Sequence, residues 1–159
     1  MVAGALLLLG SVAYWRYAAA VADPGEVRVP VMLAGQALAQ QRQGVEAVAE
    51  VSRLHGKDFP LVSGAMAVYG NGAATVWVSG APARLMAAQM VRAMAEKIAE
   101  GRSPFTPLAT RDVPGRAVYE LAGMGQRHFY FQSGAQVVWL AVDEAVAEQA
   151  LADILSFYP

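Results

Sequence analysis

Cysteine is absent from the 159 residues. That one absence excludes disulfides, thiolate nucleophiles, iron–sulfur clusters, covalently attached c-type haem and a lipidated cysteine. Charge is scarce too: charged residues are 16% of the chain, against about 25% in ordinary soluble domains. The formal net charge is −1 and no run of like charge occurs. Phosphate recognition needs a clustered basic footprint, so nucleic acid is excluded as a partner. Catalytic signatures are missing as well. No Gly-x-Ser-x-Gly, His-Glu-x-x-His or dinucleotide fingerprint appears. Gly70-Asn71-Gly72 is no phosphate loop, because strand-like residues follow it instead of a helix N-terminus with Lys and Ser/Thr.

What is present is apolar: hydrophobic residues make up 56% of the sequence. Residues 1–14 carry no charged side chain and contain the run Ala5-Leu6-Leu7-Leu8-Leu9. Arg16 interrupts, flanked by Tyr14, Trp15 and Tyr17, before a second apolar stretch over 18–22. A hydrocarbon core of roughly 30 Å needs about 20 helical residues, so the expected span is 1–22, centred on residues such as Leu7. Arg16 must then snorkel to the headgroups or meet a partner, and the aromatic residues beside it form an interfacial belt. Ala20-Val21-Ala22 before Asp23-Pro24 also has the form of a signal-peptide cleavage site. No Lys or Arg precedes the apolar run, however, which favours a retained single-pass anchor. Counting Arg16 and Arg28 after the span puts the domain on the cytoplasmic side. The cleavage-like site and the commonness of signal anchors place it on the extracytoplasmic side, and that is the expectation adopted.

Beyond the anchor the fold class expected is α+β, with residues 23–30 as a juxtamembrane linker and 31–159 as one small domain. Pro24-Gly25 and Pro30 bound the linker. Helical material should follow, through Ala34, Leu38 and Gln41 to a break at Gly44, then along Val45, Val48, Val51 and Leu54 to a C′ glycine at Gly56. Residues 61–69 and 74–79 read as a hairpin around Gly70-Asn71-Gly72. Pro82 opens a helix that buries Met86, Met90, Val91, Met94 and Ile98. Three prolines without a period make 101–115 a loop. Strands then cover 117–122, 127–132 and 136–142, and Asp143 caps a last helix that buries Val146, Ala150, Leu151, Ile154 and Leu155. This amounts to an antiparallel sheet of about five strands with helices packed on it. Ala67-Val68-Tyr69 and Val76-Trp77-Val78 are echoed by Ala117-Val118-Tyr119 and Val138-Trp139-Leu140, which suggests an imperfect β-β-α duplication with helices on one face.

Candidate chemistry is thin. Met124 and His128 lie close enough in sequence for a soft metal site, but Met124 falls in a turn and His128 on a strand with Tyr130 and Gln132. His55 suits the negative end of a helix dipole. Glu46/Glu50, Glu96/Glu100 and Asp143/Glu144/Glu148 read as solvated helix faces, not acid/base pairs. The methionine stripe reads as packing. The segment from Leu54 to Pro60 looks motif-like without a family attached. No catalytic, cofactor or metal residue is therefore expected, and the site residues are those of the anchor: Leu7, Tyr14, Trp15, Arg16 and Tyr17. The function expected is a non-catalytic accessory subunit of a membrane complex, with the bilayer and other membrane subunits as partners. The alternative is a membrane-tethered binding domain for a small apolar ligand or a peptide.

Overall fold

The computed structural model describes residues 2–55 and 60–159, with side chains over 5–53 and 60–159. Among these residues are four α-helices and nine strands joined in one sheet, an α+β fold. Helix α1 (Val2–Ala22) is apolar all round, and at 21 residues it is about 31 Å long. Its window Ala5–Ala22 is long and apolar enough to cross a membrane, and none of that window is buried against the rest of the chain.

Residues 23–30 are not a free linker. Strand β1 (Gly25–Glu26) pairs parallel with β4 (Ser63–Tyr69), and Val27 is buried in the core. The hydroxyls of Tyr158 and Tyr69 donate to the carbonyls of Arg28 and Pro30, at 2.6 and 2.8 Å. Where helix was expected over 34–41, the chain forms a hairpin of β2 (Met32–Leu33) and β3 (Gln36–Gln43). The turn holds Ala34 and Gly35 at positive φ, 48° and 73°, which no helix permits. The Gln- and Ala-rich β3 has helical propensity, but antiparallel pairing with β4 and full burial of Leu33 override it. Helix α2 begins at the expected break, over Gly44–His55. Gly56 and the side chains of Leu54 and His55 lie outside the described residues.

The second correction concerns 101–115. Strand β6 (Thr106–Val113) forms the sheet edge there, paired with β7 (Arg116–Gly123). Its prolines are compatible with a strand because Pro107 sits at a register shift on the edge and Pro114 in the turn. Strand β5 (Ala74–Gly80), helix α3 (Arg84–Ala99), strands β8 (Gln126–Ser133) and β9 (Gln136–Val142), and helix α4 (Ala147–Phe157) complete the set. Asp143 precedes a 3-10 turn at Glu144–Val146 and makes no side-chain cap; it accepts instead from Gln126 at 3.0 Å.

The strand order is β2-β3-β4-β5-β9-β8-β7-β6, so the sheet is nearly twice the five strands expected. Strands β5 and β9 meet at its centre with Trp77 opposite Trp139. Alternate residues feed two cores. On one face α4 places Ala147, Ala150, Leu151 and Ile154 against Val76, Val138, Leu140, Phe129 and Phe131. On the other, α3 places Ala87, Val91 and Ile98 against Leu121, Tyr130 and Val137, with Met86, Met90 and Met94 half-buried beside them. Helix α2 shares this second face. Gly64 lets it approach, since a Cβ there would lie 3.0 Å from Val48 Cγ2 and 3.4 Å from Ala47 Cβ. Helices thus cover both faces, not one. In the tripeptide echo, Val76 and Val78 share one core with Val138 and Leu140, whereas Tyr69 and Tyr119 belong to opposite cores, so the repeat in packing is partial.

Candidate functional site

The residues expected to anchor the chain are exposed on α1. Leu7 is 73% exposed, Tyr14 72%, Trp15 71% and Tyr17 39%. Four successive helical residues fan out by about 100° each, so Tyr14, Trp15, Arg16 and Tyr17 ring the helix at one level instead of marking one side. The Tyr14 and Tyr17 rings lie 6.5 Å apart. Arg16 is exposed in the same ring and joins no ion pair among the described residues. A guanidinium level with indole and phenol rings suits the headgroup layer, where stems pack on acyl chains and polar tips reach water.

Two polar clusters lie within the domain; the sequence pointed to His128 in the first and to Glu144 and Glu148 in the second, but to neither as a cluster. The first centres on His128, buried on β8. Its Nε2 lies 2.9 Å from the Gly123 carbonyl, and the Trp139 indole N–H points at its Nδ1 from 3.1 Å. That pair of contacts requires the neutral tautomer, with Nε2–H donating and Nδ1 accepting. Phe105 closes over both rings, 4.7 Å from the imidazole and 5.1 Å from the indole. Gly123 permits this cover, because a Cβ there would lie 2.5 Å from the Phe105 ring. Tyr119, Tyr130 and Trp139 continue as a stack across three strands, at 4.7 and 5.2 Å. Both imidazole nitrogens are therefore occupied, Met124 is 77% exposed in its turn, and no metal-binding group of His, Asp and Glu exists among the described residues.

Burial pushes the His128 pKa down from 6.5, opposed in part by the bond to Gly123. Below about pH 6.5 the unfolded chain takes up a proton that the folded chain refuses, so stability falls as pH drops from there towards the folded-state value. The slope from this group cannot exceed about 1.4 kcal/mol per pH unit. Unfolding of the parent and of His128→Gln across pH 5 to 8 measures it. The parent should lose more stability on acidification than the variant, and parallel curves would show that His128 titrates alike in the folded and unfolded states.

The second cluster is an ion-pair network on the α4 face of the sheet. Glu120 on β7 is 5% exposed, and its carboxylate lies between Arg111 of β6 and Arg127 of β8. Arg111 donates through Nε to Glu120 at 2.7 Å and bidentately to Glu148 of α4 at 2.7 and 2.8 Å. Arg127 bonds Glu120, and Glu144 at 2.7 Å. Both guanidiniums lie over the Phe129 ring, 5.5 and 5.6 Å from its centroid. The bond from Arg111 holds the Glu148 carboxyl below its ordinary range. The cluster ties the start of α4 to strands β6, β7 and β8, and arginine stems seal the edge of the core. Its signal was in the sequence: Glu120 alternates with Val118, and Arg127 with Phe129 and Phe131, so these charges share the phase of inward residues.

The remaining carboxylates behave as surface groups. Glu50 pairs with Arg42 and Arg53, and Glu100 with Arg102. In a shallow open depression lined by Leu108, Gln126, Arg127 and Glu144, Arg127 bonds Glu144 and Gln126 bonds Asp143, while Arg127 Nε is buried without a partner among the described residues. The Trp77 indole nitrogen is likewise buried without a partner among the described residues. No family model matches the chain, and neither a curated protein nor a solved structure matches it.

Proposed function

We propose that this chain is a non-catalytic accessory subunit of a membrane assembly, anchored by α1, with its α+β domain on the extracytoplasmic side. One observation carries the proposal: an 18-residue apolar window in α1, none of it buried by the domain it belongs to. A helix apolar all round finds its minimum in lipid or between other apolar helices. Two further features support it. The buried imidazole of His128 and carboxylate of Glu120 are engaged by structural partners, which leaves neither poised for proton transfer. Arg16 joins no ion pair among the described residues and is available to a headgroup or to a carboxylate on a neighbouring span.

A membrane-tethered binding domain is the second reading, favoured by Trp77. Buried donors are nearly always satisfied, and a bound molecule with an acceptor would satisfy this one. Purification of the full-length protein from its own membrane in mild detergent, with mass spectrometry of what accompanies it, separates the two. Stoichiometric membrane-protein companions are the expected result. A monomer carrying extra small-molecule mass would establish the second reading instead.

A further inference from the structure

Helix α1 joins the domain with almost no slack. The Asp23 amide still bonds the Ala19 carbonyl at 2.9 Å, and Pro24 is already buried with its carbonyl oxygen against Gly44. Gly25 N then donates to Val62 O at 2.8 Å, within the parallel pairing to β4. The three peptide steps from Ala22 to Gly25 reach at most about 10 Å. One end of the sheet is therefore held close to the end of α1.

Backbone contacts identify the rest of that end. Val62 N donates to Gly80 O, and Ala81 N to Ala135 O, each at 2.8 Å. Beside them Gln132 donates to Arg84 O at 2.9 Å, and Ser133 to Pro159 O at 2.7 Å. This row crosses the central strands and brings the N-termini of both α2 and α3 to the α1 end. Each of those helices exposes an aliphatic side chain in its first turn: Val45 is 54% exposed and Leu85 70%. Charge around them is mixed, with Asp23, Glu26 and Glu46 set against Arg28 and Arg84, all exposed. Met124, 77% exposed, sits in the β7–β8 turn at the opposite end of the strands.

We propose that this end of the sheet rests on the bilayer, with Val45 and Leu85 inserted into the interfacial layer of a zwitterionic lipid surface. The proposal rests on the anchoring of α1. The headgroup zone is roughly 5–7 Å deep on each side of the hydrocarbon, so an end held within about 10 Å of the helix exit is within reach of it. Two aliphatic side chains there lose contact with water at no cost in charge burial, and the mixed charge requires no anionic lipid. The consequence is a domain of fixed orientation, standing on its β4, β5 and β9 ends and presenting the Gly70–Ala73 and Met124 turns away from the membrane.

The lack of native cysteine makes the test direct. Leu8→Cys, Val45→Cys, Leu85→Cys and Met124→Cys are each labelled with an environment-sensitive fluorophore in the full-length protein. They are reconstituted in phosphatidylcholine vesicles with and without lipids carrying a nitroxide near the headgroup. Nitroxide lipids should quench the labels at 8, 45 and 85 and leave the label at 124 unchanged. Quenching at 8 without quenching at 45 and 85 overturns the docked orientation and leaves the anchor standing. No quenching at 8 overturns the anchor, and the docking with it. Quenching at 124 equal to that at 85 overturns the fixed orientation.

Discussion

Glu120→Ala should destabilise the domain by about 3 kcal/mol, although it removes a single side chain from the edge of the sheet. The loss comes from what stays behind. Arg111 and Arg127 would face each other across a vacated carboxylate, both over Phe129, with only Glu144 and Glu148 left to balance them. Removing one partner of a buried pair costs about 3–5 kcal/mol, and the low end applies because Arg111 and Arg127 are 32% and 18% exposed. Glu148→Ala deletes a carboxylate from the same network where it is 65% exposed, so its cost should stay near 1 kcal/mol or below. Chemical unfolding of the full-length protein in detergent, followed by tryptophan emission, measures both. Equal losses for the two variants would mean that Glu120 is not the centre of the network.

The other large effect concerns the anchor. Replacing Leu9 and Val12 together with aspartate should move the protein from the membrane fraction to the soluble one. Each aspartate near the helix centre changes insertion by about 3 kcal/mol against an aliphatic residue, so the pair opposes insertion by roughly 6 kcal/mol. Both positions are exposed and touch no part of the domain core, so the fold should survive the change. Arg16→Leu, which removes the unfavourable charge, should leave the protein in the membrane. An alkaline carbonate wash followed by blotting reads the result. Retention of the double variant to the same extent as the parent would show that something other than α1 holds the protein there.

Local chemistry alone determined much of this molecule. The apolar run and its Tyr-Trp-Arg-Tyr ring mark a helix, and α1 is long and apolar enough to cross a bilayer. The strands β7, β8 and β9 and their turns were legible because alternation and the glycines of Gly123-Met124-Gly125 act over a few residues. The inward stripe of α4 was legible for the same reason. What needed the tertiary structure was whatever depends on a distant partner. Gln36–Gln43 becomes a strand because β4 offers it a ladder, and Thr106–Val113 because an edge tolerates proline. The face each helix covers was invisible, since an amphipathic stripe shows that a helix is covered and not by what. The same holds at the polar clusters. His128 alternates with Tyr130 and Gln132, which looks semi-polar until Trp139 and Phe105 arrive from other segments to bury it. Glu120 finds Arg111 and Arg127 from two neighbouring strands, and strand pairing is a property of the whole sheet that short-range pattern does not carry.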